Sequence, residues 1–162
     1  VSDQDIEARV RAAVAAAGGP YELMPIDPAY ADTAAFCEKY GVSLAHSANT
    51  IIVASKKEPR QYAACVVQAT GRLDVNHAVR ALMGVSRLSF ASADETRALT
   101  GMLVGGVTPF ALPPALPIYV DEALMALEHV ILGGGSRSLK IRTSPQVFAR
   151  IPNTRVVPNL SA

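Results

Sequence analysis

The sequence has little with which to do conventional covalent chemistry. Its 162 residues include two cysteines, Cys37 and Cys65, and three histidines, His46, His77 and His129. The cysteines form no CxxC, and no histidine lies near either of them, so neither a zinc site nor a disulfide framework is expected. The nucleophile elbow GxSxG and the metalloprotease HExxH are missing. So are GxGxxG and the P-loop lysine pattern, which leaves nucleotide binding of those types unsupported. Charge of one sign is missing too. Fifteen Lys and Arg against 14 Asp and Glu give a net charge of +1, which excludes a strongly cationic nucleic-acid coat and leaves only local basic patches. No apolar run approaches the roughly 20 residues of a membrane span, and the opening VSDQDIEARV lacks the basic-then-apolar pattern of a signal peptide. The expectation is a cytoplasmic protein with no metal, no cofactor and no membrane partner.

What is present is an ordinary globular composition, 50% hydrophobic and 18% charged, over a length that suits a single domain, 1–162. Residues 3–17 read as a helix, the main element of an N-terminal segment 1–19. Ser2 is placed to cap it with Asp5 three residues on, and Gly18-Gly19-Pro20 ends it. A strand at 21–26 and a helix at 33–40 follow, the helix with Asp32 as candidate cap and Gly41 as stop. TIIVAS (50–55) and YAACVVQA (62–69) read as two strands of a hairpin. Asp74 is placed to cap a helix with Val75, Val79 and Leu82 on its buried side. A strand at 87–91 leads into a helix opened by the capping-box pair Ser92 and Glu95 and stopped at Gly101. Strands at 117–121, 129–133 and 138–143, a short helix at 144–151 and a patternless tail at 152–162 complete the chain. Short strands interleaved with short helices, at least one strand pair antiparallel, predict an α+β fold rather than a doubly wound parallel sheet.

Two glycine-rich segments stand out. GGG at 133–135 lies between two strands and suits a tight turn. TGMLVGGVTPFALPP (100–114) is longer, apolar and uncharged. It is either a buried crossover or a surface whose amides, beside glycines and fixed by Pro109, meet a carbonyl or oxyanion. Cys37, in a helix, and Cys65, in an apolar strand, read as small core residues. His46 precedes a strand near Asn49 and could face a pocket. The basic clusters Lys56-Lys57-Arg60 and Arg137-Lys140-Arg142 read either as solvated faces or as contacts for nucleic-acid phosphates.

The order of the segments ANTIIVAS (48–55), GRLDV (71–75), FASADETRALTGMLVGGVTPFALP (90–113), PIYVD (117–121) and GGGSRSLKIRTSP (133–145) resembles the YbaK/EbsC family, the free-standing relatives of the editing domain of prolyl-tRNA synthetase. The likeness covers about residues 20–150 and is most specific over Thr100–Pro109. The resemblance implies a single compact α+β domain with a mixed, partly barrel-like sheet flanked by helices. It also implies trans-acting hydrolysis of tRNA mischarged with a small amino acid, with no cofactor. Its partners would be the tRNA acceptor end and, for some members, an aminoacyl-tRNA synthetase. By the same resemblance Gly105 and Gly106 belong to the catalytic loop. Thr108, Pro109, Phe110, Gly133, Gly134, Lys140 and His46 are candidate substrate contacts, and Lys56, Lys57, Arg137 and Arg142 candidate tRNA contacts.

The family carries a lysine where this chain has Asn49, a candidate catalytic residue that can donate hydrogen bonds but brings no charge. Some relatives have a serine at Gly133 and an aspartate at Lys140. Lys140 either supplies the missing cation from the opposite wall or is a surface lysine. Separately, the chain is either a deacylase or, because Asn49 replaces the usual lysine, a catalytically silent member that binds aminoacyl-tRNA ends or a synthetase.

Overall fold

The computed structural model describes residues 2–162. Helix α1 (Asp3–Ala17) opens with a reciprocal capping box between Ser2 and Asp5 and buries Ile6, Val10, Val14 and Ala17 on one face. Its partners are two sheets. The first takes strands β1 (Tyr21–Pro25), β6 (Val130–Gly133) and β7 (Leu139–Thr143) in the antiparallel order β1-β7-β6. The second takes β2 (Ala48–Ser55), β3 (Tyr62–Gln68), β4 (Leu88–Phe90), β5 (Ile118–Asp121) and β8 (Thr154–Val157) in the order β4-β2-β3-β5-β8. In this second sheet β2 pairs antiparallel with β3 and β4, while β5 runs parallel to β3 and to β8. The α+β architecture is the expected one. The sheets stay open and meet along one line, where Ser47 bridges Ile131 in parallel; they do not close into a barrel.

The main core fills the space between the sheets and α1, with Ile6, Val10, Ile52, Val66, Met102, Phe110, Leu132, Ile141 and Phe148 at its centre. A second cluster, including Val53, Cys65, Val67, Val79 and Leu160, covers the other face of the five-stranded sheet. This two-sided burial explains why β2 and β3 read as nearly continuous apolar runs. A third, smaller cluster holds α2 (Thr33–Tyr40) against β6 through Phe36, Cys37 and Ile131. Helix α3 (Arg80–Met83) and helix α4 (Ala93–Thr100), the latter with a Ser92–Glu95 capping box, complete the set.

Three local expectations need correcting. Asp32 stands at the start of α2 but makes no capping bond; its carboxylate is taken by Arg137, 3.0 Å away. The helix after Asp74 begins as a wider π turn at Val75–Val79, where Val79 N–H donates to Asp74 O at 3.1 Å. The tail is not patternless: β8 adds to the sheet edge, and beyond it Ser161 bridges Leu73.

Candidate active site at the seam of the two sheets

The seam leaves a gap in β2. Odd-numbered residues of this strand face β3, as shown by Ser55 N–H donating to Gln61 O (2.8 Å) and Ala69 N–H donating to Ser47 O (2.8 Å). Even-numbered residues face the other edge, where Ala91 N–H donates to Ile52 O (2.9 Å) and Lys56 N–H to Arg87 O (3.1 Å). On that edge β4 reaches only Val53–Ser55, and the next tie is the Ser47–Ile131 bridge. Between them the edge is open at Thr50, whose buried hydroxyl also has no partner. A cavity of about 440 Å³ occupies this gap, a size typical of small-molecule sites.

Several elements wall the cavity, with Ala91 and, from α4, Thr96 beside those that follow. β2 contributes Ala48 to Ile52, the start of α2 contributes Asp32, Thr33 and Ala34, the segment after α4 contributes Val104, Gly105 and Val107, and Gly133 and Lys140 come from β6 and β7. The lining is mostly apolar and neutral polar. Lys140 is its one cation and Asp32 its one anion among the described residues. Asn49 Oδ1 accepts from Thr33 Oγ1 at 2.5 Å, which leaves the two N–H donors of its amide for a ligand.

Lys140 is buried, 5% exposed. Its ammonium donates to Ala31 O (2.7 Å) and Gly105 O (3.0 Å) and sits 5.3 Å from the centre of the Phe36 ring. Burial pushes its pKa down to about 8, against the opposing pull of Asp32 and Cys37. Lys140 is therefore not a surface lysine; it lines the same cavity as Asn49. Arg137 reaches the same neighbourhood by another route. Its Nη1 donates to Val104 O (2.7 Å) and pairs with Asp32, and its Nη2 donates to Pro28 O at 3.2 Å.

The two glycine segments prove to be parts of one assembly. Gly135 N–H donates to Gly106 O at 2.7 Å. A side chain at Gly106 would fall 2.6 Å from the backbone of Ser136, and one at Gly133 would strike the carbonyl of Val107. The segments are glycine-rich because their backbones touch each other. Gly105, with φ +92°, is hemmed in by Arg137, Asp32 and Ala31, and it lines the cavity together with Val104 and Val107.

The other sequence candidates are dispersed. Gly106 N–H turns inward to Leu103 O at 2.8 Å. Thr108 and Phe110 are fully buried. Pro109 and Phe110 line a separate apolar cavity against Ala13 and Ala17 of α1, and Gly134 is packed under Leu139. His46 stacks on His129, ring centres 4.3 Å apart, outside the cavity lining. Lys56 and Lys57 are exposed on the β2–β3 hairpin, and Arg142 is exposed on β7. Cys65 is enclosed, and burial pushes its thiol up to about 12, which removes it as a nucleophile at neutral pH. Sequence reasoning passed over Asp32, Thr33, Ala34, Thr96 and Val104. Only the N-terminal position of Asp32 and Thr33 on α2 gave any signal.

Among the described residues no group of three or more His, Cys, Asp and Glu could hold a metal ion, and no helix is long and apolar enough to cross a membrane. A sequence profile described as an aminoacyl-tRNA editing domain matches residues 27–151. The fold is similar to that of a proposed trans-editing enzyme for prolyl tRNA synthetase, at 24% identity and a TM-score of 0.79 over 94% of each chain. It is also similar to hypothetical protein APE2540, at 29% identity and a TM-score of 0.83, covering 95% of this chain and 99% of the other.

Proposed function

Because the chain belongs to the aminoacyl-tRNA editing domain family, we propose that it clears mischarged tRNA in trans, hydrolysing the ester that joins a small amino acid to the tRNA 3′ end. The observation that carries this reading is the buried ammonium of Lys140 in the wall of the cavity that Asn49 also lines, bonded to Gly105 O. The aminoacyl group occupies the cavity. Water adds to its carbonyl carbon, negative charge develops on the carbonyl oxygen, and the tetrahedral species collapses. The ribose oxygen leaves and takes a proton, giving free amino acid and an intact tRNA hydroxyl. In a low-dielectric site the Lys140 charge and the Asn49 amide favour that developing charge. The family resemblance supplies the remaining step: a ribose hydroxyl of the terminal adenosine orients the water, which suits a cavity with no histidine or cysteine in its lining. Such a substrate would place the protein in the cytoplasm. Exposed Lys56, Lys57 and Arg142 are the candidate contacts for the acceptor-end phosphates.

The test is amino-acid release from a panel of mischarged tRNAs, starting with alanyl-tRNA(Pro) and seryl-tRNA(Thr). The native protein is expected to release at least one of them, and Lys140→Met to slow that release by about 10²–10³, the usual effect of removing one oxyanion-stabilising contact. A second reading rests on Asn49. With an amide where the family carries a lysine, the domain would bind aminoacyl-tRNA ends or a synthetase without hydrolysing the ester. No release across the panel, with binding to the acceptor end retained and activity gained by Asn49→Lys, would select that reading.

A further inference from the structure

Arg137 and Lys140 lie three residues apart at the β6–β7 turn and the start of β7, and both reach the same two segments. The first segment precedes and opens α2. It is touched at Pro28 O and the Asp32 carboxylate by Arg137, and at Ala31 O by Lys140. The second follows α4. It is touched at Val104 O by Arg137 and at Gly105 O by Lys140. These segments adjoin, Gly105 lying against Ala31 and Asp32, and together they give the cavity wall Asp32, Val104 and Gly105. No backbone hydrogen bond joins them directly among the described residues.

We propose that Arg137 and Lys140 form a two-cation clamp that holds these adjoining segments in place in the wall, and so decides how large an aminoacyl group the cavity admits. The proposal rests on the editing reading for the identity of the ligand. The clamp itself stands on its five hydrogen bonds. Charge-assisted bonds to carbonyls are short and directional, and each cation holds both segments at once, so neither segment can move alone without losing one of them. Arg137 lies outside the cavity lining. In this reading it is a positioning residue that acts through Val104 and Asp32, not a tRNA contact. An apolar pocket discriminates by about 10–200-fold per methylene only while its walls hold their places. A clamp on the wall is therefore a specificity device.

The experiment compares wild type, Arg137→Gln, Lys140→Met and Lys140→Arg. Each is given alanyl- and leucyl-tRNA as substrates, and the matching non-hydrolysable 3′-amide aminoacyl-adenosines as ligands. Expected for Arg137→Gln is a rise of about tenfold or more in the leucyl-to-alanyl ratio of kcat/KM, with alanyl kcat little changed. Lys140→Met lowers kcat for both substrates and raises the same ratio; Lys140→Arg returns the ratio toward wild type. Hydrogen exchange at the Gly135 amide, which joins the β6–β7 turn to the clamped segment at Gly106 O, speeds up in Arg137→Gln and Lys140→Met. An unchanged ratio in both variants, with their circular dichroism intact, overturns the clamp. If the wild type hydrolyses no ester, the ratio of Kd values for the two adenosine ligands takes the place of the kinetic ratio, and editing fails while the clamp is still tested. If the wild type binds neither ligand, both fall.

Discussion

At Lys140, burial and hydrogen bonding oppose each other. Loss of water pushes the ammonium down to about 8 from its ordinary 10.5, with Arg137 adding to the fall and Asp32 and Cys37 resisting it. Between those two pH values the unfolded chain holds a proton that the folded chain has released. Stability contributed by this residue therefore rises with pH across that window, with a limiting slope of about 1.4 kcal/mol per pH unit. On the proposed editing activity, its contribution to hydrolysis would go the other way, because the neutral amine no longer offsets negative charge on the ester. The native protein is expected to gain Tm relative to Lys140→Met as pH is raised from 8 towards 10. Over the same range its deacylation kcat, corrected for spontaneous ester loss, should fall. A Tm difference that stays flat over this range would show that the ammonium is not desolvated as described.

The two glycine loops act as one element, and the clearest evidence of their packing is what a methyl group would meet. At Gly133 it strikes the Val107 carbonyl, and backbone has no rotamer with which to move aside. At Gly41, the C-cap of α2, φ is +66° and the space beyond is empty. Gly41→Ala therefore carries only the left-handed strain, about 1 kcal/mol, while Gly133→Ala is expected to cost about 3 kcal/mol through overpacking. Urea unfolding of the two variants checks the difference, and equal losses would refute the packing argument. The contrast also shows what the sequence could and could not reveal. Elements opened by local chemistry were legible: the Ser2–Asp5 and Ser92–Glu95 boxes placed α1 and α4, and continuous apolar runs placed β2 and β3. Strand β8 was not, because its Arg155 and Val156 are exposed and only its parallel partner β5 makes it a strand. The glycines of 105–106 and 133–135 were visible as special, but their mutual contact joins positions some thirty residues apart. Asp32 was misread as a cap for the same reason. Its partner Arg137 is 105 residues away, and no local pattern announces such a pair. Lys140 could be placed on either wall or on the surface until the carbonyls of Ala31 and Gly105 were seen around it.

Across the whole molecule, charge is spread thinly, and on the proposed editing function this would limit how much tRNA the domain can grip. The net charge is +1. Of the basic residues considered for phosphate contact, Arg137 is engaged by Asp32 and two carbonyls, and Arg60 by Glu95 at 2.5 Å. That leaves Lys56, Lys57 and Arg142. The hairpin carrying the two lysines lies about 20 Å along β2 from Asn49, at roughly 3.3 Å per residue. A single-stranded acceptor end can span that distance with a few nucleotides. Three phosphate contacts on single-stranded RNA give a salt dependence of about −2 in log K against log[salt]. Measured affinity for an aminoacylated acceptor-stem hairpin should follow that slope, and Lys56→Ala with Lys57→Ala should flatten it to near −1 while leaving the small adenosine ligand bound as before. A slope steeper than about −5 would mean many more phosphates are held than these residues can reach. The tRNA would then be recognised by its body rather than by its acceptor end alone.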